Sequence, residues 1–229
     1  MARKSKLRRR WKRWLALVAL FVVGLHAVWA IALLALRFVN PPTTGVQIQR
    51  RIESFFTRGP YKKRQTFAPL RRISPHLQHA VIAAEDGNFY KHYGIDWGQV
   101  QNAIEESAET GEPPRGASTI PQQLVKNLFF TTHRNPVRKV LEYTLAPMAV
   151  MILGRNRLLE LYLNVIEWGP GVFGAEAAAE YHDHTSAAAL NREQSARLAA
   201  ILPSPRRRKP ERMNQYSAII QDRMRRLGW

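Results

Sequence analysis

The sequence predicts a mostly α-helical domain standing behind a single membrane-crossing helix. Three observations carry this. An uninterrupted apolar run extends from Trp14 to Leu36. Apolar residues recur at helical spacing through most of the remaining chain. Convincing strand alternation and internal repeats are absent.

Trp14–Leu36 is 23 residues long, which as a helix spans roughly 34 Å and so crosses a hydrocarbon core of about 30 Å. Its one ionisable member is His26, read as a neutral, tolerated histidine. The run is too long for an ordinary signal-peptide core, and no small-x-small cleavage pattern precedes Arg37, so an uncleaved anchor is expected. Residues 3–13 carry eight Lys/Arg and no acid, which keeps this flank cytoplasmic and exports the remainder. The chain thus divides into four regions: a basic tail (1–13), the membrane helix (14–36), a juxtamembrane linker (37–72) and a folded domain (73–229).

The formal net charge of the 229-residue chain is +18, and about +10 remains after the basic tail is set aside. Anionic lipid, pyrophosphate and nucleic acid all fit such a charge. Nucleic acid is not expected, because the basic residues do not interleave with aromatics in a recognisable binding module. There is no cysteine, which excludes disulfides, thiolate zinc sites and a catalytic thiol.

Within the linker, Ile48, Ile52, Phe55 and Phe56 give 46–56 a weak amphipathic helical pattern that suits either the bilayer surface or the domain. Ser74-Pro75 starts a helix, with serine as N-cap and proline in the first turn. Leu77, Ala80, Val81 and Ala84 come next at helical spacing, so Glu85 and Asp86 arrive at its C-terminal end. Asp96 caps a helix with Val100, Ala103 and Ile104 on one face. The segment 110–115 reads as a loop. Ser118 or Thr119 caps a helix containing Leu124 and Leu128, and Asn135-Pro136 opens a longer one that Pro147 should kink or end. Further helices are predicted around Leu158–Leu163, at 175–181, from the capping pair Asn191/Gln194 to Pro203, and at 213–227.

Two patterns point to chemistry. Adjacent Glu85 and Asp86 raise each other's proton affinity, and Phe89, Tyr90 and Trp97 lower the dielectric around them, which suits a general base. Lys126, Arg134, Arg138 and Lys139 lie in the same segments as a hydroxyl- and amide-rich stretch containing Ser118, Thr119, Gln122 and Gln123. Glu142 stands as an i,i+4 partner of Arg138. One acid aimed at a hydroxyl, with cations for an anionic leaving group, outlines a sugar-transfer site. Gly169–Gly174 fits G-x-G-x-x-G but comes after a helical pattern, which argues against dinucleotide binding. His182-Asp183-His184 lacks a nearby third metal ligand. No Ser-x-x-Lys pairs with a Lys-Thr-Gly, so no transpeptidase module is expected.

These residues resemble a known family. Glu85-Asp86-Gly-Asn-Phe89-Tyr-Lys-His92-Tyr-Gly94 is similar to the E-D-x-x-F-x-x-H-x-G motif of peptidoglycan glycosyltransferases (glycosyltransferase family 51). Arg115-Gly-Ala-Ser118-Thr119-Ile120-Pro121-Gln122-Gln123-Leu-Val-Lys126-Asn127 resembles their R-G-[GA]-S-T-I-x-Q-Q-x-x-K-N motif. Arg138-Lys139-Val-Leu-Glu142 resembles R-K-x-x-E, and Arg157–Asn164 the I-L-E-x-Y-L-N block. The likeness covers about residues 70–205. With one anchor and no transpeptidase module, the chain is similar to the monofunctional biosynthetic transglycosylases. Three departures stand out: Pro121 in place of Ser or Thr, Arg155 in place of Lys, and Tyr181-His182 in place of Tyr-Phe.

The resemblance implies a lysozyme-like helical domain at 73–229, in the periplasm of a bacterial inner membrane, that polymerises lipid II into linear glycan strands. It implies inversion at the anomeric carbon and release of undecaprenyl pyrophosphate. Glu85 would be the base on the acceptor hydroxyl, with Glu142 as a second catalytic acid supporting the pyrophosphate side through Arg138 or a divalent metal (Mg²⁺ or Mn²⁺). Lys126, Arg134, Arg138 and Lys139 would hold pyrophosphate. Ser118, Thr119, Gln122 and Gln123 would position sugar and phosphate, and Asp86, Phe89, His92 and Asn127 would join the substrate-binding set. Implied partners are lipid II, the growing lipid-linked glycan, the membrane, and other cell-wall synthesis or division proteins; no organic cofactor is implied. A lysozyme-like hydrolase or lytic transglycosylase is the competing reading.

Overall fold

The computed structural model describes residues 2–56, 61–113, 116–133 and 135–229. Within these, ten α-helices dominate. The first, α1 (Ala2–Leu36), contains a stretch from Trp11 to Leu36 long and apolar enough to cross a bilayer. Its end is tied to the domain by Arg157, whose guanidinium donates to Leu36 O and Val39 O, both at 2.9 Å. The Leu36 carbonyl would otherwise be orphaned at the helix terminus.

Next comes α2 (Gly45–Phe56), and its orientation inverts the ordinary pattern. Ile48, Ile52, Phe55 and Phe56 are exposed, whereas Gln47 and Gln49 are buried. The inward polar face is fully engaged: Gln47 bonds Gln65 and Lys63, Gln49 bonds Glu53 and Thr132, and Arg50 pairs with Glu167. Hydrogen bonding, together with buried Val46, therefore docks this helix, and most of its apolar side faces outward.

The remaining helices are α3 (Pro75–Glu85), α4 (Trp97–Thr110), α5 (Ile120–Phe129), α6 (Pro136–Leu153), α7 (Arg155–Val165), α8 (Ala175–Asp183), α9 (Arg192–Ile201) and α10 (Asn214–Arg226). Caps expected from sequence are present: Ser74, Asp96, Asn135 and the capping box of Asn191 with Gln194. Ile104, expected on the inner face of α4, is exposed. Pro147 does not end α6. Buried Leu145, Ala146, Ala149 and Val150 hold the helix through it, so tertiary packing outweighs the local penalty.

Three short strands correct the expectation that none exist. β1 (Arg64–Gln65), β2 (Glu167–Gly169) and β3 (Val172–Phe173) form a sheet in the order β1-β3-β2, with β1 parallel and β2 antiparallel to β3. At two or three residues each, they are too short to display alternation. The glycine-rich stretch is the β2–β3 hairpin. Gly171 has φ +74°, and a Cβ there would stand 2.8 Å from Lys62 O, so glycine is required by conformation and by space. Parts of the region expected as a linker pack on the domain: β1 extends the sheet, and Asn164 pairs with both backbone groups of Ala68 at 2.8 Å.

The core runs through α3, α5, α6, α7 and α9, with Phe89, Tyr162, Trp168 and Phe173 among its largest fully buried side chains. α5 packs on both α6 and α7, which brings the catalytic motifs to one place.

Candidate active site

The end of α3 presents two carboxylates with different partners. Asp86, the C-cap residue, turns inward and is 3 % exposed. It accepts from the backbone N–H of Ile120 at 2.9 Å and contacts His92 Nε2 at 2.8 Å. A carboxylate at the N-terminus of α5 complements the helix dipole. Thr119 completes that terminus in a capping box with Gln122, and its hydroxyl donates to Gly94 O at 2.6 Å. Gly94 itself has φ +96° and lies against Ala146 and Pro147, where a Cβ would come within 2.6 Å of backbone. Pro121 occupies the first turn of α5, where its missing N–H costs nothing.

Because Asp86 pins the start of α5, Gln123 is brought to Glu85 one turn later. Gln123 Nε2 donates to Glu85 Oε2 at 2.8 Å, and the phenol of buried Tyr162 donates to Gln123 Oε1 at 2.7 Å. Among the described residues, Glu85 Oε1 takes no hydrogen bond. Burial raises the pKa of Glu85 above the usual carboxylate range, against the opposing pull of the Gln123 bond and of Lys126 and Arg208. Asp86 adds to the rise, as expected for neighbouring acids.

Lys126 lies one turn beyond Gln123 on α5. Burial lowers its pKa; Arg138 and Lys139 push the same way, while Glu142 and Glu85 oppose. On α6, Glu142 is 3 % exposed and faces two cations: Arg138 Nε at 3.1 Å, in an ion pair not aligned as a hydrogen bond, and Lys139 Nζ at 3.3 Å. Lys139 also donates to Ser118 Oγ at 3.1 Å, and Arg138 donates to Thr131 O at 2.6 Å. Two openings flank the Glu85–Gln123 pair. One, about 490 Å³, is lined by Glu85, Gln99, Asn102, Gly116, Tyr216 and Arg223. The other, about 650 Å³, is bordered by Gln123, Lys126 and Tyr162 and by Arg50, Arg206 and Arg207.

The expected site residues therefore separate into two groups. Glu85 lines the smaller opening, Gln123 and Lys126 line the larger, and Arg138 and Lys139, the latter bonded to Ser118, lie within electrostatic reach of Lys126. Asp86, Phe89, His92, Thr119, Gln122 and Asn127 are buried, and Glu142 is turned onto its cations rather than toward an opening. Of these, Asp86 also lines the 490 Å³ opening and Asn127 the 650 Å³ opening. Asn127 bonds the Gln123 carbonyl at 2.8 Å. Arg134 and Arg115 lie outside the described residues. The donor set does not fit a resident divalent ion: Glu142 is a single carboxylate engaged by Arg138 and Lys139, and the described residues hold no group of three or more metal-ligating side chains.

Two residues gain roles that the sequence did not suggest: Tyr162, which stood only within a predicted helix and the family block, and Arg155, which stood only as a departure from Lys. Arg155 Nη1 and Nη2 donate to Phe89 O and His92 O, and its guanidinium lies over the Phe89 and Tyr93 rings. A bidentate planar donor was the available signal.

The family model described as Transglycosylase matches residues 50–227. The chain belongs to the transglycosylase family. Among relatives of this transglycosylase, the biosynthetic peptidoglycan transglycosylase of Ectopseudomonas mendocina (strain ymp) is 42 % identical over 203 residues, covering 87 % of this chain and 84 % of that protein. That of Dechloromonas aromatica (strain RCB) is 43 % identical over 220 residues, covering 93 % and 95 %. The Methylobacillus flagellatus protein of the same name is 40 % identical over 214 residues, covering 91 % and 93 %. This transglycosylase is thus a glycosyltransferase with an N-terminal helix suited to a membrane anchor.

Proposed function

We propose that this transglycosylase builds peptidoglycan by polymerising lipid II. The observation that carries the reading is the carboxylate of Glu85, held by Gln123 on one oxygen and, among the described residues, unbonded on the other, within electrostatic reach of Lys126. The free oxygen removes the proton from the 4-hydroxyl of the acceptor sugar as that hydroxyl attacks the anomeric carbon of the lipid-linked donor. The new C–O bond forms as the bond to the diphosphate breaks, and the configuration inverts. General-base assistance of this kind contributes about 10²–10⁴-fold.

Lys126, Arg138 and Lys139 neutralise the departing undecaprenyl diphosphate, with Ser118 beside them. Glu142 acts through these cations as a positioning residue, keeping Arg138 and Lys139 aimed. Asp86, Thr119 and Gln122 fix α5, and with it Gln123 and Lys126. The cation-lined 650 Å³ opening suits a lipid diphosphate. A cytoplasmic N-terminus and a periplasmic catalytic domain accord with the basic residues before the anchor.

The deciding experiment gives purified full-length protein labelled lipid II. Long glycan strands are expected. Shortening of preformed peptidoglycan without strand synthesis would assign a hydrolase instead.

A further inference from the structure

The membrane helix touches the domain along a stripe. Leu25, His26, Trp29, Leu33 and Leu36 recur at helical spacing and are partly or fully covered, whereas Phe21, Val28 and Ile31 on the opposite side are exposed. Within this stripe, His26 makes a polar contact with a catalytic-domain helix. Its Nε2 lies 3.0 Å from Thr144 Oγ1 on α6, and its Nδ1 lies 2.8 Å from Val22 O. The Thr144 hydroxyl also lies 3.0 Å from Leu141 O on its own helix; with its proton turned to His26 instead, one neutral tautomer satisfies both contacts, Nδ1–H donating to the Val22 carbonyl and Nε2 accepting from the hydroxyl. Trp29 stands edge-on to His26 at 5.6 Å and to Phe130 at 5.8 Å. At the end of the anchor, Arg37 donates to Ile152 O at 3.0 Å. α6 is therefore fastened to the anchor at Thr144 and again one residue from its C-terminus.

An ionisable residue inside a membrane span is costly without a partner, and no water competes for the bond it makes there. Thr144 lies two residues past Glu142 and within two turns of Arg138 and Lys139. We infer that His26 is a positioning residue of the glycosyl-transfer site: through Thr144 it fixes the height and rotation of α6, and so of Arg138, Lys139 and Glu142, relative to the membrane plane. The inference rests on the proposed reading of that cluster as the diphosphate clamp. It gives the anchor a part in catalysis beyond tethering, because the clamp is held at a set depth relative to a lipid-linked substrate.

The test uses the full chain in lipid vesicles with lipid II as substrate. His26→Leu and Thr144→Val are each expected to lower kcat/KM about tenfold, mainly in kcat, with the double variant no worse than either single one. His26→Gln, which retains a donor and an acceptor, should recover at least half of the activity. Full activity of His26→Leu, or additive losses in the double variant, would overturn the inference. A second measurement does not depend on turnover. The chain has no cysteine, so His26→Cys with Thr144→Cys can be bridged by a short thiol-specific crosslinker. An intramolecular crosslink in vesicles is expected, and its absence would overturn the docking. Retained activity of Glu85→Gln in the same assay would instead defeat the glycosyl-transfer reading while leaving the crosslink unaffected.

Discussion

Tyr162 holds Gln123 in the one amide orientation that serves Glu85. Its phenol donates to Gln123 Oε1 at 2.7 Å, which leaves Nε2 to donate to Glu85 Oε2 at 2.8 Å. A flipped amide would place two acceptors against each other and would leave the phenol donor facing an NH₂ group. The fully buried tyrosine thus sets the direction of the base without touching it.

Tyr162→Phe is accordingly expected to lower kcat about tenfold with little change in KM, because the ring still fills the core while Gln123 loses its constraint. Steady-state kinetics with lipid II, alongside a thermal melt, would check this. A rise in KM at constant kcat would show that Tyr162 serves binding instead.

Glu85→Gln should remove at least 10²-fold of the polymerisation rate, within the range for a lost general base. It should also stabilise the fold at neutral pH. An acid whose folded pKa is raised costs stability when ionised, so the gain is absent below the ordinary carboxylate pKa of 4.5 and grows as pH rises through the folded value. A gain of about 1 kcal/mol corresponds to roughly 2–4 °C in Tm for a protein of this size. Melting curves of both proteins at acidic and neutral pH would reveal it, and equal Tm values throughout would contradict the burial of charge at this position.

The pH dependence of kcat/KM should be a bell narrowed from both sides. Glu85 must be ionised to accept a proton, and its raised pKa moves the acid limb upward from the ordinary carboxylate range. Lys126 must be protonated to stabilise diphosphate, and burial moves the alkaline limb below that of an exposed lysine. Lys126→Arg should shift the alkaline limb upward, since a guanidinium stays charged. An unmoved alkaline limb would remove Lys126 from that role.

Most of the helical frame was legible in the sequence because its signals are local. Ser74-Pro75, Asp96 and Asn191/Gln194 cap helices by contacts within three residues. The motif residues were legible as a set, but their division of labour was not. That Asp86 turns to the start of α5 while Glu85 meets Gln123 depends on Asp86 reaching Ile120, 34 residues away, and nothing local distinguishes the two acids. The same holds for Tyr162 and Gln123, 39 residues apart. The sequence left the apolar face of α2 open between the bilayer surface and the domain for a different reason: that face points outward because distant polar partners, Gln65, Thr132 and Glu167, take the other side. The short strands carry too few residues to show a period.

Arg155→Lys tests how the loop beneath the site is held. The guanidinium reaches two carbonyls at once, Phe89 O and His92 O, and covers two aromatic faces. An ammonium reaches one carbonyl well and stacks poorly. Charged hydrogen bonds are worth about 1.5–3 kcal/mol each, so a loss of about 1–2 kcal/mol is expected after partial compensation, seen as a fall in Tm of roughly 2–8 °C. Because this loop carries His92, which bonds Asp86, and Asp86 in turn holds Ile120 at the start of α5, the same variant should also lose some kcat. A full loss of Tm stability with unchanged kcat would show that the loop and the base are mechanically independent.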